Sequence, residues 1–350
     1  MRPVSHQPHA AHAAQASRPG GSGSPSGVAR AAAPAPQDTF QSQNPPAAYQ
    51  QISGALAGDA AAQQSLRTLN ASGRLDGPLL DQLGRLARPG AGNAAMLGQV
   101  VKDVANPAGI RQGKNNDFCA ATASLAGLAR NDPANYARIA ADLHTTGRST
   151  MVDGKVLQAK PGNAPGMTAT QGLMAPALTE AANGSKYRVD QQGVSHADTK
   201  GKHAPNDKRV PGTYASGMER MQEMLEGGNY RSLYIPGKNE KGSRSGAVSQ
   251  AERLLTRNAA QGQTGTVNAD GHWYRVTGAG PGLLSVQDQQ SGQTAVVDAH
   301  QFLKGAEAVT VSARAGQVGK NYTHHGKHED PGSGGSGVRS QNPVEDARVF

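Results

Sequence analysis

The stretch "DGHWYRVTGAGPGLLSVQDQQSG" (270–292) reads as two alternating strands around a Gly/Pro-rich turn. Its register decides what sheet the chain can build. Centring the turn on Gly280 sets Val276 against Leu284, Tyr274 against Val286 and His272 against Asp288. Direct cross-strand partners share a face, so this pairing gives an apolar row ending in an imidazole beside a carboxylate. A slip of one residue would set apolar side chains against the row Trp273, Arg275 and Thr277, at a cost in burial.

Around this hairpin the pattern is that of an antiparallel sheet. "YRSLYIPG" reads as a strand and 245–262 as a helix. "GTVNADGHWYRVTGAG", "GLLSVQDQQSG", "QTAVVDAHQFL" and "AVTVSA" then read as strand, turn, strand, turn, strand, short helix and strand. The first half of the chain is helical by pattern. Leu79, Leu80, Leu83 and Leu86 recur at helix spacing, and a helix over 94–105 stops before Pro107. "NDPANYARIAADLHTTG" (131–147) opens with an Asp cap and an early Pro, and 168–184 reads as a helix despite Pro176. "TMVDGKVLQ" carries an Asp153-Gly154 hairpin signal, and Met218, Met221, Met224 and Leu225 form a core-facing stripe. Helices first and an antiparallel sheet second make an α+β fold.

Composition bounds the packed part. Gly contributes 45 of 350 residues, Pro 21, and aromatics only 4%, too few large apolar groups to offset ordering entropy along the whole length. Residues 1–48 read as a disordered arm, 49–105 as a small helical lead-in, 106–315 as the main domain and 316–350 as a disordered tail. The net charge of +9 is diffuse: thirteen Lys/Arg against eight Asp/Glu between Lys186 and Arg257, without aromatic punctuation. That argues against nucleic-acid binding and suits a basic face that meets an acidic protein. No run approaches the roughly 18 apolar residues of a membrane span. The N-terminus lacks the apolar core of a general secretory signal, which leaves a cytoplasmic location or export by a specialised system.

A single cysteine, Cys119, excludes an intrachain disulfide and multi-cysteine metal or iron–sulfur sites. His324, His325 and His328 in the Gly-rich tail read as solvated, so neither a metal nor another cofactor is expected. Cys119 begins the Ala/Leu-rich run in "KNNDFCAATASLAGLAR" (114–130). Two readings stand: a small buried packing residue, or a nucleophile at a helix start, where an imidazole can activate it. In the second, Asp288 orients His272, and His272 deprotonates Cys119 and later protonates the leaving group. His300 reads as a surface or core residue and His144 as a helix C-terminal residue.

A helix-start Cys in "NNDFCAATASLAGLA", then "GHWYRV" and "VQDQQSGQTAVVDAHQFL" on later strands, resembles the papain-like cysteine hydrolase superfamily, particularly C39-like peptidases and bacterial secreted effector enzymes. The resemblance spans about Ile110 to Ala315. It implies a papain-like fold with a Cys119–His272–Asp288 triad, thiolate attack on an amide carbonyl, and an acyl-enzyme released to water or an amine. It also implies an amide oxyanion donor upstream of the cysteine. Gln112 stands seven residues before Cys119, one more than the family habit, and Asn115 and Asn116 are the other amide candidates. On this reading the chain is a monomeric protease, glutamine deamidase or transglutaminase-like enzyme that acts on a protein or peptide and is secreted by a specialised bacterial route, as virulence effectors of type III systems are. The alternatives are a non-catalytic interaction protein with Cys119 buried in packing, and a peptidoglycan amidase.

Overall fold

The computed structural model describes residues 47–90, 92–113, 116–159, 166–183, 187–189, 195–197, 213, 215–237, 243–263, 265–312 and 322–323. The N-terminal arm, nearly all of the C-terminal tail and much of 184–214 lie outside them. The described residues belong to one compact unit.

Eight helices and two small hairpins come first. They are α1 (Ala47–Ala55), α2 (Ala60–Ala71), α3 (Gly77–Leu86), α4 (Asn93–Ala105), α5 (Cys119–Asn131) and α6 (Pro133–Thr146), then the hairpin β1 (Arg148–Thr150) and β2 (Val156–Gln158). After α7 (Ala169–Asn183) come a second hairpin, β3 (Tyr187–Val189) and β4 (Ser195–Ala197), and α8 (Ala215–Glu226). The rest is β5 (Tyr230–Tyr234), α9 (Arg244–Ala260), β6 (Gly265–Ala269), β7 (His272–Gly280), β8 (Leu283–Asp288), β9 (Thr294–Asp298), α10 (Ala299–Lys304), β10 (Ala306–Ser312) and β11 (Tyr322–Thr323). Local chemistry sets the ends. Asp59, Asp76, Asp132, Ser243 and Asp298 each cap the helix that follows by accepting a backbone N–H. Gly147 closes α6 in the left-handed conformation.

The main sheet has seven strands in the order β11-β5-β10-β6-β7-β8-β9, with every neighbouring pair antiparallel. Both faces are covered. Val267, Tyr274, Val276, Leu284 and Val286 pack with Val248, Leu255 and Phe302 of α9 and α10. Trp273 and Ala308, on the other face, join the cluster built from α1–α8. The molecule is thus an α+β protein with helices packed against an antiparallel sheet. The helices at 49–105, read as a lead-in, pack into that same cluster through Ile52, Leu66, Leu79, Leu83 and Val100.

The central hairpin departs from the register read in the sequence. The turn is the two-residue Pro281-Gly282, and Gly280 pairs with Leu283. A bulge between Val276 and Gly278 inserts Thr277, after which Val276 faces Val286 and Tyr274 faces Asp288. Without that extra residue the tight turn would send Tyr274 and Val276 to the wrong face; the bulge restores them. The pairing is therefore two residues away from the expected one, which keeps every side chain on its face but places His272 diagonally from Asp288. A second correction concerns "VNADGHW", read as part of one strand. Asp270 (φ 55°) and Gly271 (φ 73°) form a tight turn between β6 and β7, with Ala269 paired to His272. Positive φ at both positions is what Asp-Gly supplies in a type I′ hairpin.

Candidate active site

Cys119 and His272 are each the first residue of their element, and those elements lie side by side. Gly127 packs over Arg275: a Cβ on Gly127 would stand 3.5 Å from the guanidinium carbon. From Cys119 to Gly127 the helix rises about 12 Å, and from His272 to Arg275 the strand advances about 10 Å. Two elements running the same way at matching lengths bring their starts together. Accordingly Cys119 lies close enough to His272 for its sulfur to help raise the imidazole pKa.

The other side of the imidazole is held by Asp288, whose Oδ1 lies 2.9 Å from His272 Nε2. With Nε2 engaged there, Nδ1 is the ring nitrogen left for the sulfur. Tyr274 meets the His272 ring edge-on at a centroid distance of 4.7 Å and limits its rotation. Asp288 itself is 1% exposed and fully cradled. Its Oδ1 also accepts from Gln290 N–H at 2.8 Å, and its Oδ2 accepts from the Ser291 hydroxyl at 2.7 Å and Ser291 N–H at 3.3 Å. This Asx-type turn comes from "DQQSG", where the carboxylate bonds the backbone just ahead of it. The sequence reading singled out Asp288 but not Ser291 or Gln290; the D-x-x-S-G turn pattern is the signal that points to them.

Burial and pairing compete over the protons. Burial alone would push the His272 pKa down; hydrogen bonds to Asp288 and Cys119, with the charges of both, outweigh it and raise the value to about 9. Burial also pushes the Asp288 carboxyl up, but His272, the Gln290 amide and the Ser291 hydroxyl hold it well below the usual carboxylate range. The imidazole is thereby kept as imidazolium at neutral pH beside an ionised carboxylate.

The segment before Cys119 is tied into the same place. Gln112 N–H donates to Gln289 O at 3.0 Å, joining it to the Asp288 turn. The Gln112 side chain is buried with Oε1 unpartnered, and no hydrogen bond is formed by its amide among the described residues. Asn116 is engaged otherwise: its Nδ2 donates to Gln112 O and its Oδ1 accepts from Phe118 N–H at 3.1 Å. It holds the turn that leads into α5, while Gln112 keeps an uncommitted amide. Cys119 is 6% exposed.

No known family model, curated protein or solved structure is detectably similar to this chain.

Other candidates are placed elsewhere. His144, near the end of α6, meets Asn93 Oδ1 at 3.1 Å and links α6 to the start of α4. His300 lies in the first turn of α10. Among the described residues no three His, Cys, Asp or Glu side chains converge in a metal-binding group, and the histidines at 324–328 lie outside them. No helix among the described residues is long and apolar enough to cross a membrane.

Proposed function

We propose that this chain is a papain-like cysteine hydrolase or acyl transferase acting on amide bonds of a protein or peptide. The observation that carries the reading is His272 hydrogen-bonded to Asp288 with Cys119 close enough to act on its charge. In this scheme the Cys119 proton already resides on His272 as imidazolium, and the thiolate attacks the amide carbonyl carbon. The tetrahedral oxyanion accepts from the Gln112 amide and from Cys119 N–H at the start of α5. His272 gives its proton to the departing amine, leaving a thioester on Cys119. Water, activated by the imidazole now neutral, or an incoming amine then releases the acyl group. Peptide cleavage, glutamine deamidation and transamidation share these steps and differ in which amide enters and what accepts the acyl group.

Export by a specialised bacterial route suits the Ala/Pro/Ser/Gln-rich arm, and the excess of positive charge suits an acidic protein substrate. The burial of Cys119 favours a second reading, an interaction protein in which the thiol only packs. One experiment separates the two. Because the chain has one cysteine, every thiol adduct reports Cys119. A peptidyl vinyl sulfone should label the wild type, leave Cys119→Ser unmodified, and react at least roughly a hundredfold more slowly with His272→Ala. Equal labelling of wild type and His272→Ala, or none of a folded wild type, would discard the catalytic reading.

A further inference from the structure

A line of polar side chains crosses the sheet beneath α5 and α8. Ser232, Thr310, Thr266, Arg275 and Gln287 are successive cross-strand partners on five adjacent strands, and none is more than 2% exposed. One end of the line is satisfied. Ser232 N–H donates to Glu219 Oε1 at 2.6 Å, the Ser232 and Thr310 hydroxyls share a hydrogen bond of 2.7 Å, and Gln222 Nε2 reaches the Thr266 hydroxyl at 3.5 Å.

The other end is not. Among the described residues, Arg275 Nε, Nη1 and Nη2 have no acceptor, nor does Gln287 Nε2 directly across from it. Burial, and then the charge of Arg130, lower the Arg275 pKa to about 9, with Glu226 opposing. Glu226 comes near, since its Oε1 and the Arg275 guanidinium carbon both lie 3.5 Å from a Cβ placed on Gly127. Its carboxylate nevertheless accepts from the Tyr230 hydroxyl at 2.6 Å and leaves the guanidinium nitrogens without an acceptor. A buried cation with every donor unmet is among the most unfavourable arrangements a folded chain can hold.

We propose that Arg275 and Gln287 bind a small monovalent anion of halide type, enclosed between the sheet and the α5–α8 pair. The donors that need a partner are all N–H groups on adjacent side chains, and the charge that needs an opposite is single. A spherical monovalent acceptor meets both needs, whereas a phosphate would bring surplus charge. Glu226, beside the guanidinium, also lines a surface cavity of about 290 Å³ with Tyr230, Gln263 and Ser312. The anion braces α5 against β7 where Gly127 packs over Arg275, three residues along β7 from His272. The site is independent of whether Cys119 is a nucleophile.

Thermal unfolding of the full chain tests this when sodium bromide replaces sodium gluconate at constant ionic strength, gluconate being too large to enter. Bromide weakens proteins generally, so a rise in the midpoint is diagnostic. The wild-type midpoint should rise by a few degrees, growing with the logarithm of bromide concentration once the site fills. A bromide-grown crystal should show an anomalous peak within hydrogen-bonding distance of Arg275. Arg275→Met should lose the response. Gln287→Glu provides the negative charge from the chain itself; it should melt higher than wild type in gluconate and ignore bromide. If Arg275→Met fails to fold, the Gln287→Glu variant and the peak decide. A wild-type midpoint that does not rise, no peak at Arg275, or an undiminished response in Gln287→Glu overturns the site.

Discussion

Replacing Asp288 by Asn tests the architecture of the site with almost no change in shape. Asp288 accepts four hydrogen bonds, two on each oxygen: His272 and Gln290 on Oδ1, and the two Ser291 donors on Oδ2. An amide offers one oxygen and one NH2. If the oxygen takes the Oδ1 place, the NH2 is set against Ser291 N–H. If it takes the Oδ2 place, the NH2 meets the Gln290 N–H and forces His272 Nε2 to accept. The neutral ring must then carry its proton on Nδ1, the nitrogen that faces the sulfur, and the thiol has no base. In either orientation the carboxylate charge is gone, and burial favours the neutral imidazole. Cys119 still favours the imidazolium, so losing the carboxylate takes away part of the rise of His272 from 6.5 to about 9, at most about 3 kcal/mol at about 1.4 kcal/mol for each pKa unit. Alkylation of Cys119 by iodoacetamide at pH 6–7, followed by intact mass, reads this directly. Asp288→Asn should react about a hundredfold more slowly than the wild type, with an unchanged far-ultraviolet spectrum. Rates within a factor of about two of each other would show that the carboxylate does not govern the thiol, and the reasoning would be refuted.

Three further outcomes are expected. Because the folded-state pKa of His272 is raised from 6.5 to about 9, its stabilisation is fully present below pH 6.5 and is lost as pH rises through 9. Unfolding free energies from urea titration should therefore fall between pH 6.5 and 9.5 by up to about 3 kcal/mol more in wild type than in His272→Gln; parallel curves would contradict the shift. Tyr136→Phe removes the donor that meets buried Asp103 Oδ2 at 2.7 Å, where Thr170 also donates at 2.5 Å. It should cost about 1–3 kcal/mol in chemical denaturation, and a neutral effect would mean Asp103 is satisfied without it. Deletion of Thr277 removes the bulge in β7 and should leave a chain without a cooperative unfolding transition; a stable, folded deletion variant would show that another bulge can take its place.

The hairpin shows why the sequence could be read only to a certain depth. Alternation has a period of two, so it excludes a slip of one residue and is blind to a slip of two. The reading therefore placed Tyr274, Val276, Leu284 and Val286 on the right face while missing their partners and the Thr277 bulge. His272 and Asp288 still meet, because a diagonal pair on one face is within reach of an imidazole and a carboxylate. Asn116 and Gln112 were indistinguishable as amides in the sequence; the bonds from Asn116 to Gln112 O and Phe118 N–H separate them.

The amino-acid sequence alone determined the order of elements, the helix caps, the single thiol at a helix start and the face to which each hairpin residue belongs. These depend on spacing along the chain and on neighbours a few residues away. Which faces are covered was decided only in three dimensions. Arg275 alternates with apolar residues as a solvent-facing residue does, yet it lies under α5 and α8, 144 and 49 residues distant at their nearest ends. The meeting of Cys119 with His272 is of the same kind, since only the packing of α5 along β7 brings their first residues together. Local chemistry places a side chain on a face; long-range burial determines what that face meets.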